Sequence, residues 1–220
     1  MANNIITTAD YRKAYERNRE NYIEIGITEK ENQIALDFAK RAAEKRWNTE
    51  GFKGTSKEKL KEAFHLGACA EIATAKYLGE PIEKLEFDTD KEVKDYTHAD
   101  LECLGYYGLG VKVSRYGLPP MVIMKELWKE GQCNDEIICT VYDNDMDKIK
   151  ERIYKVWING IATEEVLKEY QTRDLIFKKD NPKYANRAGF YGFDHLQSLK
   201  KENEINAFKL EYRVFREKYF

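Results

Sequence analysis

The sequence predicts an α/β protein of mixed α+β type, with a mixed sheet of about four or five strands flanked by helices. Three observations carry this prediction. Amphipathic helical patterns precede Gly79, short apolar strand-like segments follow it, and a helical pattern returns at residues 205–219. Helices, then strands, then a helix within 220 residues fit one layered domain.

Composition supports a globular protein and excludes several function classes. Apolar residues make up 42% and charged residues 35% of the chain. The 37 basic and 39 acidic side chains leave a net charge of -2, which argues against a protein that only coats DNA, but not against an enzyme with a local basic cleft. No apolar run approaches the roughly 18 residues of a membrane span, and we see no signal peptide, so we expect a cytoplasmic location.

Cysteine usage points to a reducing environment. The four cysteines form no CxxC pair, and their neighbours are apolar, as in "LGACAEIA" and "EIICTV". We therefore expect reduced, mostly buried thiols and neither zinc ligands nor disulfides.

The first part of the chain predicts two charged helices. Residues 8–20 form a short one, and residues 28–47 a longer one in which Thr28 and Glu31 have the spacing of a capping box. We expect residues 1–55 to be a helical extension and residues 56–220 to form the core domain, with both in one compact unit.

The third predicted helix combines a small-residue surface with a single acid. Thr55 and Glu58 have capping spacing, and Gly79 ends the helical pattern. Several small residues follow one another midway along it: Gly67, Ala68, Ala70, Ala73 and Ala75. Such a surface allows a helix to lie close to a sheet, and Glu71 is the one acid within it.

The strand-like region begins after Gly79. "ADLECL" and "LGVKVSR" predict a hairpin, and "EIICTVYD" and "RIYKVWING" predict two more strands. "TEEVLKEY" predicts a short helix between these strands and a glycine-broken segment, "NPKYANRAGFYGFDHLQSL", that contains a short extended piece.

The hairpin carries the residues most suited to chemistry. If Asp100 lies opposite Lys112, then Glu102 lies opposite Gly110, and all four point to one face, whereas a slip of one residue would separate the two sets. Carboxylates bind Mg²⁺ through oxygen, and a lysine beside them can orient a water for phosphodiester hydrolysis. An ordinary cross-strand ion pair is the alternative interpretation.

Four stretches of the chain resemble the PD-(D/E)XK nucleases, the restriction-endonuclease-like superfamily: "GACAEIATAKYLG", "HADLECL", "LGVKVSR" and "YKVWINGIATEEVLKEY". The resemblance covers roughly residues 60–200 and is to small, phage-type members. It implies that Glu71 is the acid of the helix, Asp100 the metal-binding aspartate and Lys112 the catalytic lysine. It also implies that Ser114 and Arg115 lie at the nucleic-acid side.

The chain departs from this family at Gly110, where the family has its second acid. Two interpretations follow. In the first, Glu102 or Glu71 supplies the missing metal-binding oxygen, and the glycine makes room for it. In the second, the reaction has been lost, and the fold is kept for binding or inhibition.

The leading functional hypothesis is a nuclease that hydrolyses DNA, in preference to RNA, with Mg²⁺ or Mn²⁺ as cofactor. The second is a catalytically inactive nuclease-like protein that binds nucleic acid or a host protein, for example a phage-encoded inhibitor of host defence acting in the host cytoplasm. The third is an unrelated α/β protein whose hairpin matches by chance. No membrane partner is expected, and a homodimer stays open.

Overall fold

The computed structural model describes residues 7–49, 54–85, 110–123, 125, 135–141, 152–173 and 187–200. In chain order the helices and strands are α1 (Thr8–Arg17), β1 (Ile23–Gly26), α2 (Glu29–Arg46), α3 (Lys57–Leu78), β2 (Gly110–Arg115), β3 (Met121–Ile123), β4 (Glu136–Val141), β5 (Lys155–Ala162), α4 (Glu164–Glu169), β6 (Gln171–Thr172) and β7 (Arg187–Phe190). Among these described helices, none combines the length and apolarity needed to cross a bilayer.

Among the described residues, four strands form the central sheet, in the order β1-β5-β4-β2. The pairs β1–β5 and β4–β5 are antiparallel, whereas β2 and β4 run parallel. The predicted mixed sheet and mixed α/β class are therefore confirmed. A second, three-stranded sheet has the order β3-β7-β6.

Side-chain caps begin both long helices, and a glycine ends α3, largely as the sequence predicts. Thr28 and Glu31 form the expected capping box at the start of α2. The start predicted for α3 is wrong by one residue, because Ser56 and not Thr55 caps it, accepting the Lys59 N–H at 3.3 Å. Gly79 ends α3 in the left-handed conformation, with φ of 75°, which favours glycine.

Helix α3 packs on one face of the sheet through its small residues, as predicted. Ala68, Ala73 and Ala75 are fully buried in a cluster with Val111 of β2 and Ile137 of β4. Gly67 takes no part in this close approach, since a Cβ there would meet nothing within 4 Å. Helix α2 packs against α3 from outside the sheet.

The opposite face of the sheet lies under α1 and the smaller sheet. Tyr11 and Tyr15 of α1 are almost completely buried with Phe190 and Phe193, in a cluster that includes Ile138 of β4. Their rings meet edge to face, at 5.3 Å between the centroids of Tyr11 and Phe193. The short N-terminal helix is thus part of the hydrophobic core.

The structure adds three short strands that the sequence did not predict, and the shortest of them, β6 (Gln171–Thr172), pairs with β7. Residues 23–26 form β1, which pairs with β5 at the edge of the central sheet, so the predicted helical extension also supplies a strand. Residues 121–123 form β3, which pairs with β7. Strands this short carry little periodicity of their own. The predicted first strand of the hairpin and the helix at 205–219 lie outside the described residues.

Candidate functional site

The candidate site begins with Lys112 in the middle of β2. Successive side chains of a strand point to opposite faces, so Gly110, Lys112 and Ser114 share one face. Val111 lies on the other face, in the apolar cluster beneath α3. Lys112 therefore points away from α3, and its side chain is 23% exposed. A lysine in this position keeps its stem against the protein while its ammonium group reaches solvent.

Glu136 of β4 is the acid that the structure brings to Lys112. In the parallel register of β2 and β4, Gly110 is the partner of Glu136, which places Glu136 on the face of Lys112. The distance between Lys112 Nζ and Glu136 Oε1 is 3.5 Å, and the Glu136 side chain is only 11% exposed. Within the part of the chain that the structure describes, the site therefore contains an acid and a base in a partly desolvated setting, where charges interact more strongly than in water.

Asp135 connects the segments around this pair. Its carbonyl oxygen accepts the Gly110 N–H at 3.0 Å, and its carboxylate Oδ1 accepts the Glu164 N–H at 2.9 Å. Burial raises the pKa of the Asp135 carboxyl above its ordinary value; the bond from Glu164 opposes the rise, and the charges of Glu165 and Glu164 add to it. The starts of β2, β4 and α4 are thereby held together beside Lys112.

The residues predicted to face nucleic acid have different surroundings. Ser114 is buried, with a relative exposure of 6%, on the same face as Lys112. Arg115 points to the α3 face, where its Nη2 lies 3.1 Å from Glu62 Oε2. For both residues, contact with nucleic acid stays a prediction.

Of the three predicted metal-binding acids, the structure describes Glu71 alone. Glu71 is half-buried on α3, between the fully buried Ala70 and Ile72. Helix α3 covers the face of the sheet that carries Val111. Glu71 on α3 therefore lies on the opposite side of the sheet from Lys112. Asp100 and Glu102 lie outside the described residues. The metal-binding roles of all three stay predictions.

Glu136 was not predicted as a site residue from the sequence. The signal was present, because "DEIICTV" places acids at the head of a buried strand just as "HADLECL" places Asp100. The sequence gives no information on which strands pair. Nothing local to β2 indicates that its parallel neighbour is β4 or that Gly110 and Glu136 are in register.

A separate polar contact joins α2 and α3 far from the candidate site. The Nε2 of His65 lies 3.0 Å from the Oδ1 of Asn32, which also accepts the Ile153 N–H at 3.1 Å. Because that oxygen accepts the backbone N–H, we assign the second hydrogen bond to a proton on His65 Nε2. Burial lowers the pKa of His65 to about 4, so the imidazole is neutral at pH 7.

The two described cysteines are buried, as expected for both. Cys69 and Cys139 are both free and buried, and burial raises the pKa of each thiol to about 12. Cys103 and Cys133 lie outside the described residues.

Within the ranges that the structure describes, no three histidine, cysteine, aspartate or glutamate side chains form a metal-binding group. Comparison of the chain with protein-family models, with curated proteins and with solved structures gives no match. The function of the site is therefore argued from its own residues.

Proposed function

We propose that the protein is a divalent-metal-dependent nuclease that hydrolyses DNA phosphodiester bonds with Lys112 as a catalytic residue. The observation that carries this proposal is the partly buried pair of Lys112 and Glu136, 3.5 Å apart on one face of the mixed sheet. A restriction-endonuclease-like core is the finer fold that we propose, supported by the mixed four-stranded sheet and by the alanine-rich α3 against it.

Lys112 suits the chemistry of a phosphodiester site. Its side chain extends from a β-strand, which holds the backbone more firmly than a loop does. A cation fixed near the phosphate offsets the negative charge that develops in the transition state, and the same group can orient the attacking water. The ion pair with Glu136 limits the positions that this ammonium group can adopt.

Oxygen donors of the kind that Mg²⁺ and Mn²⁺ prefer are present in the chain. Asp100, with Glu102 or Glu71, would hold the cation in the arrangement that the family resemblance implies. The carboxylate of Glu136 beside Lys112 fits the same chemistry. When bound, such a cation polarises the phosphoryl group and lowers the pKa of a bound water.

An inactive nuclease-like protein that binds nucleic acid or a host protein is the second candidate. Gly110 favours it, because the position of the family's second acid carries no side chain there. The contact with Glu136 also favours the inactive protein, because an ion pair with a neighbouring strand explains a lysine in the sheet without any catalytic role.

Incubation with supercoiled, linear and single-stranded DNA, in Mg²⁺, Mn²⁺ or EDTA, separates the two candidates. We expect cleavage that requires the metal and disappears in Lys112→Ala. RNA of matched length tests the preference for DNA. A folded wild-type protein that cuts none of these substrates with either metal contradicts the proposed nuclease. Tight DNA binding that persists in Lys112→Ala without cleavage supports the second candidate.

A further inference from the structure

Asp135 is the point where three segments from distant parts of the chain meet. It directly precedes β4, and its backbone carbonyl accepts the N–H of Gly110, the first residue of β2, at 3.0 Å. Its carboxylate Oδ1 accepts the N–H of Glu164, the first residue of α4, at 2.9 Å. The starts of β2, β4 and α4 are thus joined through one residue, by its main chain on one side and by its side chain on the other.

Both members of the Lys112–Glu136 pair lie within two residues of this junction. Glu136 directly follows Asp135, and Lys112 is two residues after Gly110 in β2. The direction of a side chain on a strand follows from the backbone that carries it. A displacement of the start of β4 therefore moves Glu136 and, through the Gly110 N–H, also moves the part of β2 that carries Lys112.

Helix α4 does not need Asp135 in order to begin. Thr163 is the N-cap of this helix, and its side chain accepts the Val166 N–H at 3.4 Å. The Asp135 carboxyl is costly to place here, because burial and the charges of Glu165 and Glu164 raise its pKa. An acid that is costly to place and is not required as a cap is better explained by the connection that it makes between α4 and β4.

From these contacts we infer that Asp135 is a positioning residue of the proposed nuclease. Its carboxylate fixes the start of β4 against α4, and this fixed start holds Lys112 where its ammonium group acts on the phosphate. The inference rests on the proposed function for the reaction itself. It concerns the side chain of Asp135, which none of the sequence-based hypotheses includes.

Steady-state cleavage of one DNA substrate by three full-length variants tests this inference. Asp135→Ala removes the acceptor of the Glu164 N–H and should lower kcat by about tenfold, with KM within about twofold of the wild type. Asp135→Asn keeps an amide oxygen as acceptor and should recover most of the lost kcat. Thr163→Ala is the matched control, because it removes the other side-chain bond at the start of α4 and leaves the connection to β4 in place. Its kcat should stay within about twofold of the wild type.

A second readout follows the junction without DNA. Amide hydrogen exchange at Gly110, measured by NMR, should be about tenfold faster in Asp135→Ala than in the wild type, because the Gly110 N–H bonds to the residue that the carboxylate holds. Exchange at Gly110 should be unaltered in Thr163→Ala. If circular dichroism shows that Asp135→Ala does not fold, Asp135→Ser, which keeps a shorter oxygen acceptor, replaces it with a smaller loss expected.

The comparison with the control decides between positioning and a general effect on α4. Equal losses of kcat in folded Asp135→Ala and Thr163→Ala overturn the inference, because a weakened helix start would then explain both. Equal losses in Asp135→Ala and Asp135→Asn overturn it as well, since Asp135→Asn keeps the acceptor. Faster exchange at Gly110 without a loss of kcat also overturns it, because the contact would then be structural alone.

The failure of the proposed nuclease has a different result. If the wild type cuts no DNA, but exchange at Gly110 becomes faster in Asp135→Ala and not in Thr163→Ala, the nuclease fails and the hold of Asp135 on β2 stands. If the wild type and Asp135→Ala cut DNA equally well and exchange at Gly110 is the same in both, the nuclease stands and the role of Asp135 does not.

Discussion

The two faces of β2 carry one acid–base pair each, and the pairs differ in what they connect. On the α3 face, Arg115 and Glu62 join the end of the strand to a helix, at 3.1 Å. On the other face, Lys112 and Glu136 join neighbouring strands within the sheet, at 3.5 Å and next to Gly110. All four side chains are 11–23% exposed, so burial does not distinguish the pairs.

The difference lies in what else each face contains. The Arg115 pair borders the main apolar cluster of α3 and the sheet, where an ion pair serves to attach a helix. The Lys112 pair lies at the start of β4. There the Asp135 carboxylate accepts the Glu164 N–H and so binds the start of α4. Two similar ion pairs on one strand can thus have different roles.

The largest expected difference is in DNA cleavage. Lys112→Ala should lower kcat/KM by about 10³-fold, because it removes a charge positioned for the transition state. Arg115→Ala should cause a smaller loss, expressed mainly in KM, because its guanidinium group is already bound to Glu62. Steady-state cleavage of one DNA substrate at saturating Mg²⁺ measures both. Equal losses in kcat for the two variants would remove the functional distinction between the faces.

The second expected effect is acid destabilisation of the α2–α3 contact behind the Arg115 face. Folded His65, with a pKa of about 4, binds its proton less tightly than the unfolded chain, whose histidine pKa is 6.5. Stability should therefore fall as the pH drops from about 6.5 towards 4, by on the order of 3 kcal/mol from this group.

Urea unfolding at pH 7 and pH 4.5 checks this expectation. His65→Gln removes the titrating group and should lose less stability between the two pH values than the wild type does. The difference between the two proteins isolates His65 from the carboxyl groups that titrate in the same range. Identical losses would show that the imidazole is not the cause.

The third expected effect concerns the far end of the Lys112 face. The Tyr11 hydroxyl donates to the Leu118 carbonyl at 2.7 Å, beyond the end of β2. Tyr11→Phe keeps the ring contact with Phe193 and removes this hydrogen bond, so thermal or urea unfolding should show a loss of about 1 kcal/mol. The affinity of Tyr11→Phe for Mn²⁺ should equal that of the wild type. A loss of Mn²⁺ affinity together with stability would show that α1 influences the candidate site.

The smallest expected effect is that of Glu62→Gln on stability. The amide retains an oxygen acceptor for Arg115 and loses only the charge, so we expect a decrease of about 0.5 kcal/mol in the free energy of unfolding. Urea unfolding in high and low salt measures it, and the decrease should shrink in high salt. A loss several times larger would assign the Arg115 pair a major part in holding α3 on the sheet.

Much of the fold followed from local signals. The Thr28–Glu31 capping box, the αL conformation of Gly79 and the buried segment "EIICTV" are short-range features, and each is present in the structure. Strands β1 and β3 were missed because they have four and three residues and depend on distant partners, β5 and β7. Such strands are decided by pairing more than by propensity.

The candidate site was predictable only in part. Lys112 was identified from its place on the predicted hairpin and from the family resemblance, and the structure puts it half-buried in the sheet, while its catalytic role stays a prediction. Glu136 was not identified, because it is 24 positions away from Lys112 in the chain (136 − 112) and comes close only through the parallel pairing of β2 with β4. Parallel strands are joined by long connections, so their register leaves no turn signal in the sequence.

Local signals in the sequence were enough to place the boundaries of the described helices to within a few residues and to predict the mixed α/β class, because caps and periodicity act over a few neighbouring residues. Only the tertiary structure decided which acid lies beside Lys112, since that depends on the order and register of strands from distant parts of the chain. In the sequence, Gly110 shows only that one strand position has no side chain. In the sheet, that position is in register with the buried Glu136.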